Sequence, residues 1–342
     1  MKISVLITAY NRRDFISEAI KSVFNQTLNT SDFEVIIISN FDFPVEGVPP
    51  GLSLTKIIMD GTLGEFLYEG VTRAKNDIIA FLDDDDLWDR NRLKEILEIF
   101  TSDSTISYYH NSCRFIDLEN RDVLPLVNNP ERFDEVRMNV KAGTKLTPSS
   151  ISDIIKLVNM GAEFNLSSIA VVRKDLIDSL RFLKRIRAAP DIFVFWTIIV
   201  LGGVVYMDNR RLTSYRIHEK NTSSHYDYRK KAEELQRIAN TTLIIQEYCD
   251  QRLEGERKII IHNLIQLKYL QVLSEYLMFS RSPRKVFLIN LRNIIKLGRY
   301  LDRITILRIL VNSSLYLIHP KAFLLFNKIY SPQKIRGKPI KS

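Results

Sequence analysis

The segment IIAFLDDDDLWDRNRL, residues 78–93, joins a continuous apolar run to four consecutive aspartates. The run IIAFL has the uninterrupted, β-branched character of a strand that is covered on both faces of a sheet. Neighbouring carboxylates raise one another's pKa, so four of them at the end of a buried strand need a partner. A divalent cation suits that place, because Mg²⁺ and Mn²⁺ take carboxylate oxygens together with phosphate oxygens of a substrate. An acidic surface loop is the competing interpretation.

Three further apolar runs precede this segment and define the fold class. They are ISVLI (3–7), EVIII (34–38) and KIIM (56–59). A segment whose apolar residues have helical spacing lies between the first two runs. The helical stretch 63–76 precedes the fourth run, IIAFL. This alternation predicts an α/β fold with a mostly parallel sheet and flanking helices.

Polar residues follow three of these strands. Ligands bind beyond the carboxyl ends of the strands in open sheets of this kind. Those ends carry Thr8-Ala9-Tyr10, Ser39-Asn40 and the aspartate run. The sequence therefore predicts a ligand site at one edge of the sheet.

The rest of the chain has a less regular pattern. Residues 188–203 predict a helix opened by Pro190 and Asp191, and residues 204–223 predict a strand pair that ends in a polar loop. From Tyr226 onward the pattern is helical. We therefore predict a catalytic domain at residues 1–224 and a helical, basic C-terminal region at residues 225–342.

Together these segments resemble the family 2 glycosyltransferases of the GT-A fold. The motif-bearing stretches are ISVLITAYNRRDFISEAIKSVFNQT, FEVIIIS, LGEFLYEGVTRAKNDIIAFLDDDDLWDRNRL and YRIHEKNTS, in the order and spacing of that family. The resemblance implies an enzyme that moves a sugar from a nucleotide diphosphate sugar to an acceptor hydroxyl with inversion. It also implies a dependence on Mn²⁺ or Mg²⁺.

The same resemblance assigns roles to individual residues. It implies a nucleotide pocket at the end of the first strand and a metal and diphosphate site in the aspartate run. Asp85 is the expected direct metal ligand, with Asp84 on the ribose and metal side and His218 near the phosphates and metal. The residues expected to bind the donor are Thr8, Ala9, Tyr10, Asn11, Arg12, Asn40, Asp83, Asp84 and His218.

Asp191 matches the acidic residue that acts as the general base in this family. An inverting displacement needs one such base to take the proton of the acceptor hydroxyl. Aspartate near the start of a helix is also common capping chemistry, which is the alternative for Asp191. A histidine in a polar loop is likewise often no more than a surface residue, which is the alternative for His218.

One position departs from the family pattern. After the second strand, relatives carry two acids, one of which contacts the nucleotide base, whereas this chain has Ser39-Asn40. Neutral Asn40 both donates and accepts hydrogen bonds, so base recognition is retained in principle. The usual preference for uridine is therefore not predicted for this chain.

Two other function classes share parts of this pattern. A catalytically silent sugar- or nucleotide-binding scaffold would keep the fold, although the intact aspartate run, Asp191 and His218 argue against it. A sugar nucleotidyltransferase would carry a glycine-rich basic loop after the first strand. The segment TAYNRRDF (8–15) contains no glycine, which disfavours that class.

The net charge of +9 is concentrated in the C-terminal tail. Residues 281–342 contain 14 Lys and Arg against one acid, Asp302. Within 286–311, four basic residues fall on one helical stripe beside apolar residues: Arg292, Lys296, Arg299 and Arg303. This pattern fits an anionic membrane surface or an ordinary packed helix, which liposome flotation with and without residues 281–342 distinguishes. No aromatic-basic motif accompanies the charge, so nucleic acid is not expected as a partner.

Composition disfavours several other classes of protein. The hydrophobic content of 45% describes a folded chain, and two distant cysteines, Cys113 and Cys249, argue against a disulfide scaffold. The N-terminus lacks a cleavage site for a signal peptide, and no window is apolar enough for a membrane span. We therefore expect a cytoplasmic enzyme, with docking on the inner face of the cell membrane as the hypothesis for its tail. The acceptor is expected to be a glycan or a lipid-linked molecule.

Overall fold

The computed structural model describes residues 1–123, 143–218 and 228–279 and, beyond these, only Leu288 and Leu291. Among the described residues the chain divides into two compact units, of which the first ends at Ile217 and the second begins at His218. The predicted boundary at 224 lies outside the described residues and stays a prediction. The basic stripe at 292–303 lies outside them as well.

A nine-stranded sheet forms the centre of the first unit, with the strand order β3-β2-β1-β4-β8-β6-β9-β5 and β7 paired with β9. The strands are β1 Ile3–Ala9, β2 Phe33–Ser39, β3 Ser53–Ile58, β4 Ile78–Asp83, β5 Leu87–Trp88, β6 Ile106–Ile116, β7 Thr144–Leu146, β8 Ile169–Val172 and β9 Val204–Arg216.

Most of these strands run in one direction. Strands β1 to β4 pair in parallel, and β6 and β9 share their direction. Strands β5, β7 and β8 run antiparallel to their neighbours. Within the described residues, six of nine strands are therefore parallel, which confirms the predicted α/β class with a mostly parallel sheet.

Helices cover the sheet of the first unit. They are α1 Ile16–Phe24, α2 Leu63–Arg73, α3 Arg92–Ser102, α4 Ile151–Asn159, α5 Lys174–Ile177, α6 Leu180–Leu183 and α7 Pro190–Leu201. The first of them is amphipathic and buries one face: Ile16, Ala19, Ile20 and Val23. Strands β1 and β2 are buried along their whole length, as their continuous apolar runs predict.

In place of the predicted strand pair, residues 204–216 form one long strand, and residues 219–223 of the predicted polar loop lie outside the described residues. Strand β9 runs for 13 residues and pairs in parallel with β6, with register shifts near Ser112. Its polar residues Asp208, Asn209, Arg210 and Arg211 resemble a turn in sequence, yet they lie within the strand. Bulges of this kind absorb the irregular positions without ending the pairing.

The second unit consists of two helices in the part that the structure describes. They are α8 Tyr228–Arg252 and α9 Gly255–Phe279, and they pack together. The contact buries Leu235, Ala239 and Val272. None of the helices in the described ranges combines the length and the apolar character needed to cross a bilayer.

Gly64 of α2 packs against the backbone at the end of α6 and just after it. A Cβ atom at this position would lie 2.3 Å from the carbonyl oxygen of Leu183 and 2.4 Å from that of Ile186. We expect Gly64→Ala to lower the free energy of unfolding by about 3 kcal/mol, because backbone rather than a flexible side chain must move. Both tryptophans, Trp88 and Trp196, lie in the first unit, so urea unfolding followed by tryptophan fluorescence measures this loss.

Thr72→Ala, on the exposed face of the same helix, is the matched control for Gly64→Ala. It should change the free energy of unfolding by no more than about 0.5 kcal/mol. Equal stability of the two variants would contradict the close packing at Gly64.

Candidate active site

The register of the sheet brings the polar strand ends together. Ala9 lies opposite Ser39, and Thr8 lies opposite Asp83. The hydroxyl of Thr8 donates a hydrogen bond to Oδ1 of Asp83 over 3.4 Å. Three of the predicted donor-binding positions thus share one edge of the sheet, as the strand pattern predicts.

The residues that follow β1 form a turn anchored on the end of β2. Asn11 has a left-handed backbone, with φ of 57°. Its N–H donates to Oδ1 of Asn40 over 3.0 Å, and Nδ2 of Asn40 donates to Oδ1 of Asn11 over 2.7 Å. Tyr10 is 46% exposed and packs edge-on against Phe66. Asn40 is therefore held by Asn11, and the Tyr10 ring is accessible to a ligand.

Arg12 binds two of the four aspartates. Its Nη2 and Nε donate to the two carboxylate oxygens of Asp84, and its Nη1 donates to Oδ2 of Asp85. The side chains of Asp84 and Asp85 are nearly buried, whereas that of Arg12 is 18% exposed. The carboxylates of Asp84 and Asp85 thus converge on one cationic group of the chain itself.

Burial makes the charged forms of these aspartates costly. Desolvation, with repulsion from Asp85 and Asp84, raises the pKa of Asp83 to about 8. Desolvation also raises the pKa of Asp84 to about 7, although Arg12 opposes the shift. The pKa of Asp86 is raised well above its ordinary value, first by burial and then by Asp85 and Asp83. Added positive charge would therefore stabilise the ionised carboxylates of this run.

The carboxylate oxygens of the aspartate run are suitable ligands for a hard divalent cation. Two carboxylates that already share a cation match the one or two that Mg²⁺ takes beside substrate phosphates. Among the described residues, no group of three or more His, Cys, Asp or Glu side chains is arranged to hold a metal ion. Oxygens of a substrate would then complete the coordination.

Asp191 lies in the first turn of α7. Ala189, which has φ of 51°, precedes the helix, and Pro190 is its first residue. The half-buried carboxylate of Asp191 accepts hydrogen bonds from the N–H of Asn165 at 3.1 Å and from that of Ile192 at 3.0 Å. Its negative charge also contributes to the raised pKa of Asp83. Asp191 is thus fixed in orientation on the aspartate side of the sheet.

A short turn, residues 165–168, connects Asp191 to the aspartate run. Oδ1 of Asn165 accepts from the N–H of Ser167, and Oγ of Ser167 accepts from the N–H of Asp83 at 3.0 Å. The carbonyl oxygen of Ser167 accepts from Nε1 of Trp88 at 2.9 Å. The turn therefore sets the spacing between the two acidic groups.

Arg216 supports the aspartate run from the other side. It is fully buried, its N–H donates to Oδ1 of Asp86, and its Nε donates to the carbonyl oxygen of Asp85 at 2.9 Å. Its Nη2 pairs with Glu18 at 2.9 Å. Asp86 thereby helps to hold the loop. His218 follows two positions later and belongs to the second unit.

Sequence patterns alone do not identify several of these residues. They do not predict Asn165, Ser167 or Glu18 as site residues, and they do not predict the pairing of Arg12 with two aspartates. The sequence NLSS (165–168) carries one usable signal, because asparagine two residues before serine favours a local side-chain turn. A cavity of about 540 Å³ beside Asp42, Phe43 and Lys56 contains none of the predicted site residues.

Known sequences are similar to part of this chain. A profile of Glycosyl transferase family 2 matches residues 4–45 and 61–151. An uncharacterised glycosyltransferase of Nostoc sp. is 27% identical over 235 residues, which are 65% of this chain and 66% of that protein. The matched region spans 46% or less of the other curated relatives.

Solved structures are similar to this chain in fold. TarS 1–349 of S. aureus, in complex with UDP-GlcNAc, matches with a TM-score of 0.53 at 14% identity, covering 92% of this chain and 91% of that one. The mannosyltransferase PcManGT of Pyrobaculum calidifontis, in complex with GDP-Man and Mn²⁺, matches with a TM-score of 0.50 at 16% identity, covering 94% and 88%. These likenesses confirm the predicted GT-A fold, and the profile match shows that residues 4–45 and 61–151 are similar to Glycosyl transferase family 2.

Proposed function

We propose that this chain is an inverting glycosyltransferase that uses a nucleotide diphosphate sugar and a divalent cation. The observation that carries the proposal is the placement of Asp191 and the aspartate run around one turn, at the carboxyl edge of the sheet. One acidic group there is oriented for proton transfer, and the others converge on a cation. An acidic surface loop would not need buried carboxylates with a shared partner.

The proposed reaction assigns a role to each group. Asp191 takes the proton of the acceptor hydroxyl, whose oxygen attacks the anomeric carbon of the donor. The bond from that carbon to the diphosphate breaks, and the nucleoside diphosphate leaves with the bonding electron pair. A bound Mn²⁺ or Mg²⁺ would supply positive charge at the leaving diphosphate. Asp84 and Asp85 would hold that ion, and Asp83 and Thr8 would line the nucleotide side. His218 as a third ligand rests on the sequence resemblance.

The nucleotide base is assigned to the edge formed by Tyr10, Asn11 and Asn40. Asn40 already uses one donor and one acceptor on Asn11, and an amide keeps one further N–H and one further lone pair. UDP-GlcNAc and GDP-Man, the donors bound by the two structural neighbours, are the first candidates.

The acceptor we propose is a glycan or lipid-linked hydroxyl. The basic stripe Arg292, Lys296, Arg299 and Arg303 would place the enzyme at an anionic membrane surface, on the cytoplasmic side. This part of the proposal rests on the sequence of the tail.

A thermal-shift screen of UDP, GDP, CDP, ADP and TDP with Mn²⁺ tests the proposed donor class. We expect one of them, at a hundredfold excess over its Kd, to raise the Tm of the first unit by about 5–10 °C, since ligand binding stabilises by mass action. The same nucleotide with EDTA is the control and should give a smaller shift. If all five leave the Tm unchanged in Mn²⁺, the chain does not bind a nucleotide diphosphate donor.

A further inference from the structure

The cation that Asp84 and Asp85 hold in this structure is a side chain of the protein. Arg12 contacts both carboxylate oxygens of Asp84 and one of Asp85, and these side chains are 3% and 7% exposed. Burial by itself would lower the pKa of Arg12, but Asp85 and Asp84 more than offset it and raise that pKa. The guanidinium is therefore a charged and firmly held partner of the two proposed metal ligands.

A metal ion and this guanidinium compete for the same oxygens. A divalent cation of the Mg²⁺ type needs a carboxylate oxygen at about 2.1 Å, and a guanidinium on both carboxylates occupies their facing lone pairs. Two cations at such a separation also repel each other in a nearly buried site. Direct coordination through Oδ2 of Asp85 together with Asp84 therefore requires Arg12 to move away.

The position of Arg12 allows that movement. It lies in the irregular segment between β1 and α1, and its side chain is 18% exposed. The preceding residue, Asn11, is fixed on Asn40 by two hydrogen bonds. The backbone is thus anchored next to the proposed nucleotide edge, whereas the long side chain can rotate about its own bonds.

A donor diphosphate offers Arg12 a better partner than two carboxylates shared with a metal. The planar fork of a guanidinium binds phosphate oxygens in pairs. The three carboxylates Asp83, Asp84 and Asp85 carry up to three negative charges, so one guanidinium leaves enough charge to attract a divalent cation as well. Both cations can then be present once phosphate oxygens separate them.

We propose that Arg12 makes metal binding conditional on the donor. Without donor, its guanidinium occupies Asp84 and Asp85 and weakens metal binding. When the diphosphate arrives, Arg12 exchanges the carboxylates for phosphate oxygens and leaves them to the metal. This inference rests on the proposed function and adds a positioning role for Arg12 in the order in which ligands bind.

The test is Mn²⁺ binding to the full chain, measured as loss of the free-ion signal in electron paramagnetic resonance. We expect Arg12→Met to bind Mn²⁺ alone at least about tenfold more tightly than wild type, because the competing cation is gone. In saturating Mn²⁺, the same variant should bind UDP or GDP about tenfold more weakly. Each ligand changes the affinity of the protein for the other by the same factor. In Arg12→Met this factor should therefore fall by the same amount whether Mn²⁺ or the nucleotide is titrated.

Arg13→Met is the matched control, because Arg13 neighbours Arg12 but donates to the carbonyl oxygen of Asp42. Its Mn²⁺ affinity without nucleotide should equal that of wild type. If wild type binds Mn²⁺ with UDP or GDP and Arg12→Met binds Mn²⁺ alone no more tightly than wild type, the role of Arg12 is overturned while the metal site stands. If neither protein binds Mn²⁺ under either condition, the proposed metal dependence itself fails.

Discussion

Replacing Asp85 with alanine is expected to lower the kcat of donor hydrolysis or sugar transfer by about 10³-fold in saturating Mn²⁺. A metal ion contributes several kcal/mol to the stabilisation of charge on a leaving group, and about 1.4 kcal/mol corresponds to a factor of ten. Asp85 is 5% exposed and shares Arg12 with Asp84. Without it, one carboxylate of the converging pair remains to hold the ion. The measurement is hydrolysis of a sugar donor that carries the nucleotide found to raise the Tm in the thermal-shift screen.

Loss of folding must be separated from loss of metal in this experiment. Asp85→Asn keeps the size of the side chain and an acceptor for Arg12 but removes the charge, so it should also lose activity while keeping the Tm. Asp122→Asn is the matched control, because Asp122 is an exposed aspartate that pairs with an exposed arginine, Arg114, at 3.5 Å. It should retain full activity. Wild-type kcat in both Asp85 variants at equal Mn²⁺ would contradict the assignment of this carboxylate.

The parallel part of the sheet could be predicted because burial on both faces leaves a direct mark on the sequence. Strands β1, β2 and β4 contain the apolar runs VLI (5–7), VIII (35–38) and IIAFL (78–82), and a polar residue follows each run. The pairing of Thr8 with Asp83 follows from a parallel register once the strand ends are known. The strand ends in the sequence therefore predict that Thr8 and Asp83 meet at the carboxyl edge of the sheet.

No comparable sequence pattern predicts the hydrogen bonds at that edge of the sheet. Arg12 pairs with residues 72 and 73 positions away, and the choice between phosphate and carboxylate for an arginine depends on geometry. The start of α1 illustrates a related limit, since the sequence offers Asp14 as a cap by residue type, whereas the N-cap residue of α1 is Phe15. Strand β9 differs from its prediction because pairing with β6 overrides its polar interior.

Asp191→Asn is expected to reduce the kcat of sugar transfer by about 10²–10⁴-fold while leaving nucleotide binding nearly unchanged. That range is the usual contribution of a general base. An amide oxygen can still accept the hydrogen bond that the N–H of Asn165 donates to this side chain, so the turn at 165–168 should keep its shape. The measurement is kcat for transfer beside the Tm shift with Mn²⁺ and nucleotide, which reports binding alone.

Asp191 lies in the first turn of α7 but is not its N-cap residue. The residue before α7 is Ala189, which makes no side-chain cap, and Asp191 itself accepts from the adjacent Ile192 and from Asn165 across the turn. Its charge still favours the helix start, so the substitution should lower the free energy of unfolding by about 0.3–1 kcal/mol. Asp153→Asn is a control with a similar helix-start role, since Asp153 pairs with Ser150 at the start of α4. If Asp153→Asn and Asp191→Asn reduce transfer equally, Asp191 serves the helix; a loss confined to Asp191→Asn, with nucleotide binding intact, identifies it as the base.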